Sequence, residues 1–71
     1  MLNDAAKKLV ARAARAAADK GNRDRIALGA NTDEICAEEW RIAQTHNPDF
    51  RAWSSAQAYF ETVFYNEIER D

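Results

Sequence analysis

Half of the stretch "DAAKKLVARAARAAAD", residues 4–19, is alanine. Alanine is the best helix former, and the Leu, Lys and Arg between the alanines follow it closely, so this segment has one regular structure open to it. The spacing predicts a helix over residues 3–20. Asn3 is placed to cap it, and Asp4 suits the positive end of the helix dipole. At about 100° per residue, Leu2, Ala6, Leu9, Val10, Ala13 and Ala17 fall on one side. That face is mostly methyl groups. It buries little area per residue but lets a neighbouring helix come close. Lys8, Arg12 and Arg15 form a stripe on one flank. Gly21-Asn22 reads as a C-terminal stop, followed by a short helical turn with Ile26 and Leu28 as core plugs.

Alanine also limits the core. It supplies 15 of the 33 apolar residues, which leaves 17 larger apolar side chains and Cys36. A chain of 71 residues is one domain at most. Domains this small are often propped by disulfides, metals or oligomerisation. A single cysteine excludes an internal disulfide, and one cysteine with one histidine cannot build a structural zinc site. The expected prop is therefore self-association as a homodimer, with a stand-alone three-helix domain as the alternative.

Two more helices follow. Asn31 with Glu34 three residues later resembles a capping box, and acids load the first turn of a helix over 32–46. Ile35, Cys36, Trp40, Ile42 and Ala43 make its apolar arc, with Glu39 inside it. "NPDF" opens a third helix over 48–69, with Asn47 as cap and Pro48 in the first helical position. Trp53, Ala56, Phe60, Val63 and Phe64 share one face, flanked by Phe50 and Ile68 and interrupted by Gln57 and Glu67. No strand-like alternation occurs. The fold class is all-α: a small three-helix bundle or helical hairpin with an Ala-rich N-terminal helix, completed by dimerisation. A dimer would place Trp53, Gln57, Phe60 and Phe64 at its interface.

The charge is unevenly spread. Residues 1–31 hold seven basic and three acidic groups, whereas residues 32–71 hold three and nine. Such a chain either pairs its halves internally or offers them to different partners. Residues 25–40, "RIALGANTDEICAEEW", have the outline of a helix-turn-helix. However, the would-be recognition helix carries Asp33, Glu34, Glu38 and Glu39, which DNA phosphates repel. The basic first helix is the better nucleic-acid candidate, through Lys8, Arg12 and Arg15. No aromatic residue is interleaved with those cations, and stacking on single strands needs aromatics.

Catalytic constellations are scarce. His46 lies at the end of the second helix, about 15 Å along the axis from Cys36. Cys36 reads as a small buried hydrophobe. Asp33, Glu34 and Glu38 without histidines or a ligand loop make no metal site, and two glycines make no phosphate loop. The sequence predicts no enzyme, no cofactor and no metal. No run is apolar enough to span a membrane, and no signal-peptide core is evident. A cytoplasmic location is the default expectation.

Residues 50–65 hold six aromatics, most at core spacing; the small helical shape and the lack of catalytic groups fit a protein-interaction module of adaptor or inhibitor type, with tyrosine and tryptophan as its interface residues. Its expected contact groups are Trp40, Trp53, Tyr59 and Tyr65, with Glu34 and Glu38 exposed nearby. The alternatives are nucleic-acid binding by the first helix and an acidic inhibitor, of phage or mobile-element type, of a nucleic-acid-binding protein.

Overall fold

The structure is a computed structural model, and it describes residues 2–70. Among the described residues there are four α-helices and a short 3-10 segment: α1 (Asp4–Asp19), α2 (Asn22–Ala27), α3 (Thr32–His46), the 3-10 segment (Pro48–Arg51) and α4 (Ala56–Glu69). The all-α expectation is met, with one more helix than a three-helix bundle.

Local chemistry sets most of the boundaries. The Asn3 side chain accepts from the Ala6 N–H at 2.8 Å, and the Asn31 side chain accepts from the Glu34 N–H at 3.0 Å. Each satisfies a donor that the first turn of a helix leaves open. Gly21 adopts φ +87° and ends α1. Gly29, at φ +105°, ends α2. Its N–H donates to the Ile26 carbonyl and the Ala30 N–H to the Arg25 carbonyl, the pair of bonds that closes a Schellman motif.

The packing face of α1 differs from the expected one. Its buried residues are Ala6, Val10, Ala11, Ala14, Ala17 and Ala18, while Leu9 is 45% exposed and Ala13 half-buried. Ala6, Val10 and Ala17 stay inside, but the stripe as a whole is turned by about 75°. The physical reason lies opposite. α1 packs chiefly on α4, where Phe60 and Phe64 are fully buried in the same core cluster. Rings of that size take up the space, and only methyl groups and the small Val10 fit beneath them. Leu28 also departs from expectation. It is 89% exposed rather than a core plug, whereas Ile26 packs against the core.

The expected helix over 48–69 is interrupted. The 3-10 segment ends at Arg51, and Ser55, in the left-handed region at φ +71°, precedes α4. Asn47 closes α3 instead of opening a long helix. Its N–H donates to the Ala43 carbonyl at 2.8 Å, and its side-chain amide donates to the same oxygen at 3.3 Å. The bend accompanies the burial of Phe50, which stacks on Trp40 with ring centroids 5.9 Å apart and planes within 6°. Trp40 also meets Phe60 at 5.2 Å. This aromatic run supplies the volume that an alanine-rich α1 lacks.

Candidate functional site

The polar residues inside the apolar stripes are satisfied within one chain. Glu39 is 5% exposed. One of its oxygens pairs with Lys20 Nζ at 2.8 Å, and the other accepts from Asn22 Nδ2 at 3.0 Å. Of the arginines that the sequence offers these polar residues, Arg12, Arg15, Arg41 and Arg51, only Arg15 is used, by Glu67, and none reaches Glu39. The sharp turn at Gly21 brings Lys20 and Asn22 there instead. Asn22 is itself 1% exposed, donates to the Ala17 carbonyl and accepts from Arg25. Glu67 gathers Arg15, Arg23 and Arg70 within 3.1–3.7 Å. Gln57 is exposed and bonded to Glu61. Phe60 and Phe64, expected at a dimer seam, are 0% exposed in the single chain, so they form its core and not a surface.

The flank of α1 between Asp4 and Ala16 is different. An open cleft of about 700 Å³ is lined by Lys7, Lys8, Arg12 and Arg15, together with Asp4, Ala11 and Ala16. Tyr59 of α4 completes the wall. Lys7, Lys8 and Arg12 make no ion pair among the described residues, and the Arg15–Glu67 contact is a loose 3.7 Å. The acidic half of the chain therefore leaves these cations unneutralised. Tyr59 is the aromatic missing from the sequence around the cations, delivered by α4 from far along the chain. Its only sequence signal is that it falls off the main apolar stripe of the third helix.

Tyr59 and Lys7 also line a second, smaller cleft of about 310 Å³ with Leu2, Ser55, Ala58 and Thr62. The two clefts share these two side chains and so adjoin.

The expected protein contacts are scattered. Trp40 is buried at 7% exposure and belongs to the core, because Phe50 and Phe60 cover it. Trp53 is half-buried against Phe50 and borders a shallow cleft with Leu2 and Leu9. Tyr65 is half-buried, and its hydroxyl donates to Asp33. That bond holds the phenol proton and raises its pKa, with burial adding to the effect. Glu34 and Glu38 are exposed and line neither Tyr59 cleft. Lys8, Arg12 and Arg15, by contrast, are brought together.

Cys36 is buried, and burial pushes its thiol up to about 11, with Glu61 and Asp33 adding to the rise. A thiol so protonated is a poor nucleophile. His46 is exposed on the last turn of α3. Among the described residues no group of three His, Cys, Asp or Glu side chains could hold a metal ion, and no helix is long and apolar enough to cross a membrane. Comparisons with protein-family models, curated proteins and solved structures find no match to this chain.

Proposed function

We propose that this chain is a non-catalytic binding module that engages nucleic acid through the basic cleft of α1. The observation that carries the reading is the convergence of three unpaired cations, Lys7, Lys8 and Arg12, with Tyr59 in one open cleft. Phosphates release bound counterions when cations neutralise them, and an exposed basic track is the usual footprint of that interaction. The aromatic wall adds a stacking surface.

The test is fluorescence anisotropy with a labelled thymidine homopolymer of about 20 nucleotides, a duplex of matching length and a labelled polyglutamate peptide. Binding is measured at roughly 50 and 200 mM salt. Engagement of all four cations predicts a log–log salt slope of about −3 on the single strand. Replacing Lys7, Lys8 and Arg12 together by alanine is expected to flatten that slope by about 2. A slope unchanged in the triple variant removes the reading.

A second reading, contact with a protein partner or a second copy, is supported by a different observation. Leu9 is 45% and Leu28 89% exposed, and Leu9 borders the shallow cleft with Trp53. It predicts a concentration-dependent mass in light scattering.

A further inference from the structure

The two adjoining clefts differ in chemistry, and that difference points to a particular form of nucleic acid. The larger is cationic, with Lys7, Lys8 and Arg12 around its mouth. The smaller is mainly apolar, built on Leu2, Ala58 and the ring of Tyr59, with the hydroxyls of Ser55 and Thr62 at its edge. Lys7 and Tyr59 line both. A phosphate fits the first environment, while the second offers it only Lys7, the cation that the two share. A flat, mostly apolar ring with polar edges fits the second and is carried next to a phosphate in every nucleotide.

We infer that the smaller cleft receives an unpaired base, stacked on Tyr59, while the adjacent phosphates lie on Lys7, Lys8 and Arg12, so that the site selects single-stranded over duplex nucleic acid. The inference rests on the nucleic-acid reading and deepens it. Four features agree with it. The cleft volume of about 310 Å³ is at the small end of the range of ligand sites. Ser55 is held in a left-handed conformation at the start of α4, and its side chain caps no helix N–H, leaving the hydroxyl for a base edge. Thr62 Oγ1 donates its proton to the Ala58 carbonyl at 3.0 Å, which leaves the oxygen as an acceptor. The Tyr59 hydroxyl makes no hydrogen bond among the described residues. Bases in a duplex keep their faces stacked on one another and cannot reach such a pocket without being flipped out. A single strand presents them freely.

The experiment compares the thymidine homopolymer, the duplex and polyglutamate on four proteins: the native chain, Tyr59→Phe, Tyr59→Leu and Ala58→Leu. Stacking on one aromatic residue predicts a loss of roughly 5- to 150-fold in single-strand affinity for Tyr59→Leu, with Tyr59→Phe close to native. Ala58 is exposed, so Ala58→Leu fills the cleft without disturbing the core. It guards against a Tyr59→Leu protein that fails to fold. It is expected to lower single-strand affinity more than duplex affinity. Equal affinity for both nucleic acids, unmoved by either leucine, overturns the base cleft but leaves the basic track standing. Binding of polyglutamate alone overturns both, and identifies the occupant as an acidic protein segment.

Discussion

The two ends of α1 handle charge in opposite ways. Just past its C-terminal end, Lys20 is spent on buried Glu39, and Arg23 of α2 bridges Asp19 and Glu67. Toward its N-terminal end, Lys7, Lys8 and Arg12 line a cleft with no carboxylate paired to them among the described residues. The same residue types, within one stretch of chain, serve two purposes. Where the chain turns at Gly21, they pair with carboxylates of α3 and α4 and fix the geometry of the fold. Where α1 lies open beside Tyr59, they remain available to an outside anion. A lysine's role here follows from what the turn brings to it and not from the helix that bears it.

The sharpest way to break the comparison is to mutate Lys20. Lys20→Ala strands the Glu39 carboxylate at 5% exposure with only the Asn22 amide as partner. Removing one member of a buried pair leaves an uncompensated charge. Because Lys20 itself is half-exposed and Asn22 still donates to Glu39, the cost falls below that of a fully buried pair, at about 2–3 kcal/mol. In a domain of this size each kcal/mol moves Tm by about 4–8 °C, so thermal unfolding at neutral pH resolves it easily. Lys20→Ala combined with Glu39→Gln should recover much of the loss, since the amide carries no charge to strand. A Lys20→Ala protein as stable as native would show that water reaches Glu39, and that the pair is no different from the open cleft.

The interior's intolerance of new charge gives the next effect. The Cys36 thiol ionises at about 11 in the folded chain and at 9.0 in its ordinary environment. Below pH 9 both states hold the proton and full stability is retained. As pH rises toward 11 the unfolded chain releases its proton first, so the unfolded state gains and stability falls, by roughly 2 kcal/mol. Tyr65, whose pKa is also raised, acts with the same sign at higher pH. Urea unfolding at stepwise alkaline pH measures the loss, and Cys36→Ala should flatten its first part. A flat native profile between pH 9 and 11 would mean that the thiolate is accommodated, against the contrast between interior and cleft.

How much of this is legible in the sequence depends on how far apart in the chain the causes lie. The caps at Asn3 and Asn31 and the glycine stop at Gly21 involve neighbours within a turn, so residue types suffice to predict them. The facing of α1 is set by Phe60 and Phe64, which outweigh Leu9 for the space under α4. A helical wheel drawn on α1 alone gives Leu9 too much weight. The break before Ser55 is illegible for a similar reason: no glycine or proline marks it, and Trp40, on another helix, provides the stacking surface for Phe50. Trp40 itself illustrates the converse error. Tryptophan is a common interface residue, but two phenylalanines from distant positions cover it. The basic stripe of Lys8, Arg12 and Arg15 is legible from helical spacing, while Tyr59 beside it is not, because only the α1–α4 packing joins them.

The smallest stability effect is also the one that separates the two ends of α1. Lys7→Ala, Lys8→Ala and Arg12→Ala remove exposed side chains with no ion-pair partner, and each is expected to change stability by less than about 0.5 kcal/mol. Alanine is the better helix former at all three sites, so the triple variant can even gain slightly, through relief of repulsion between Lys8 and Arg12 four residues apart. The same three substitutions that leave Tm in place should weaken binding to the thymidine homopolymer in the manner that its salt slope records. A group retained for folding shows the reverse pattern, as Lys20 should: a large fall in Tm, and no change in salt slope for the protein that remains folded. If instead the triple variant loses several degrees in Tm, the cations of the cleft are structural. Both ends of α1 would then serve the fold alone.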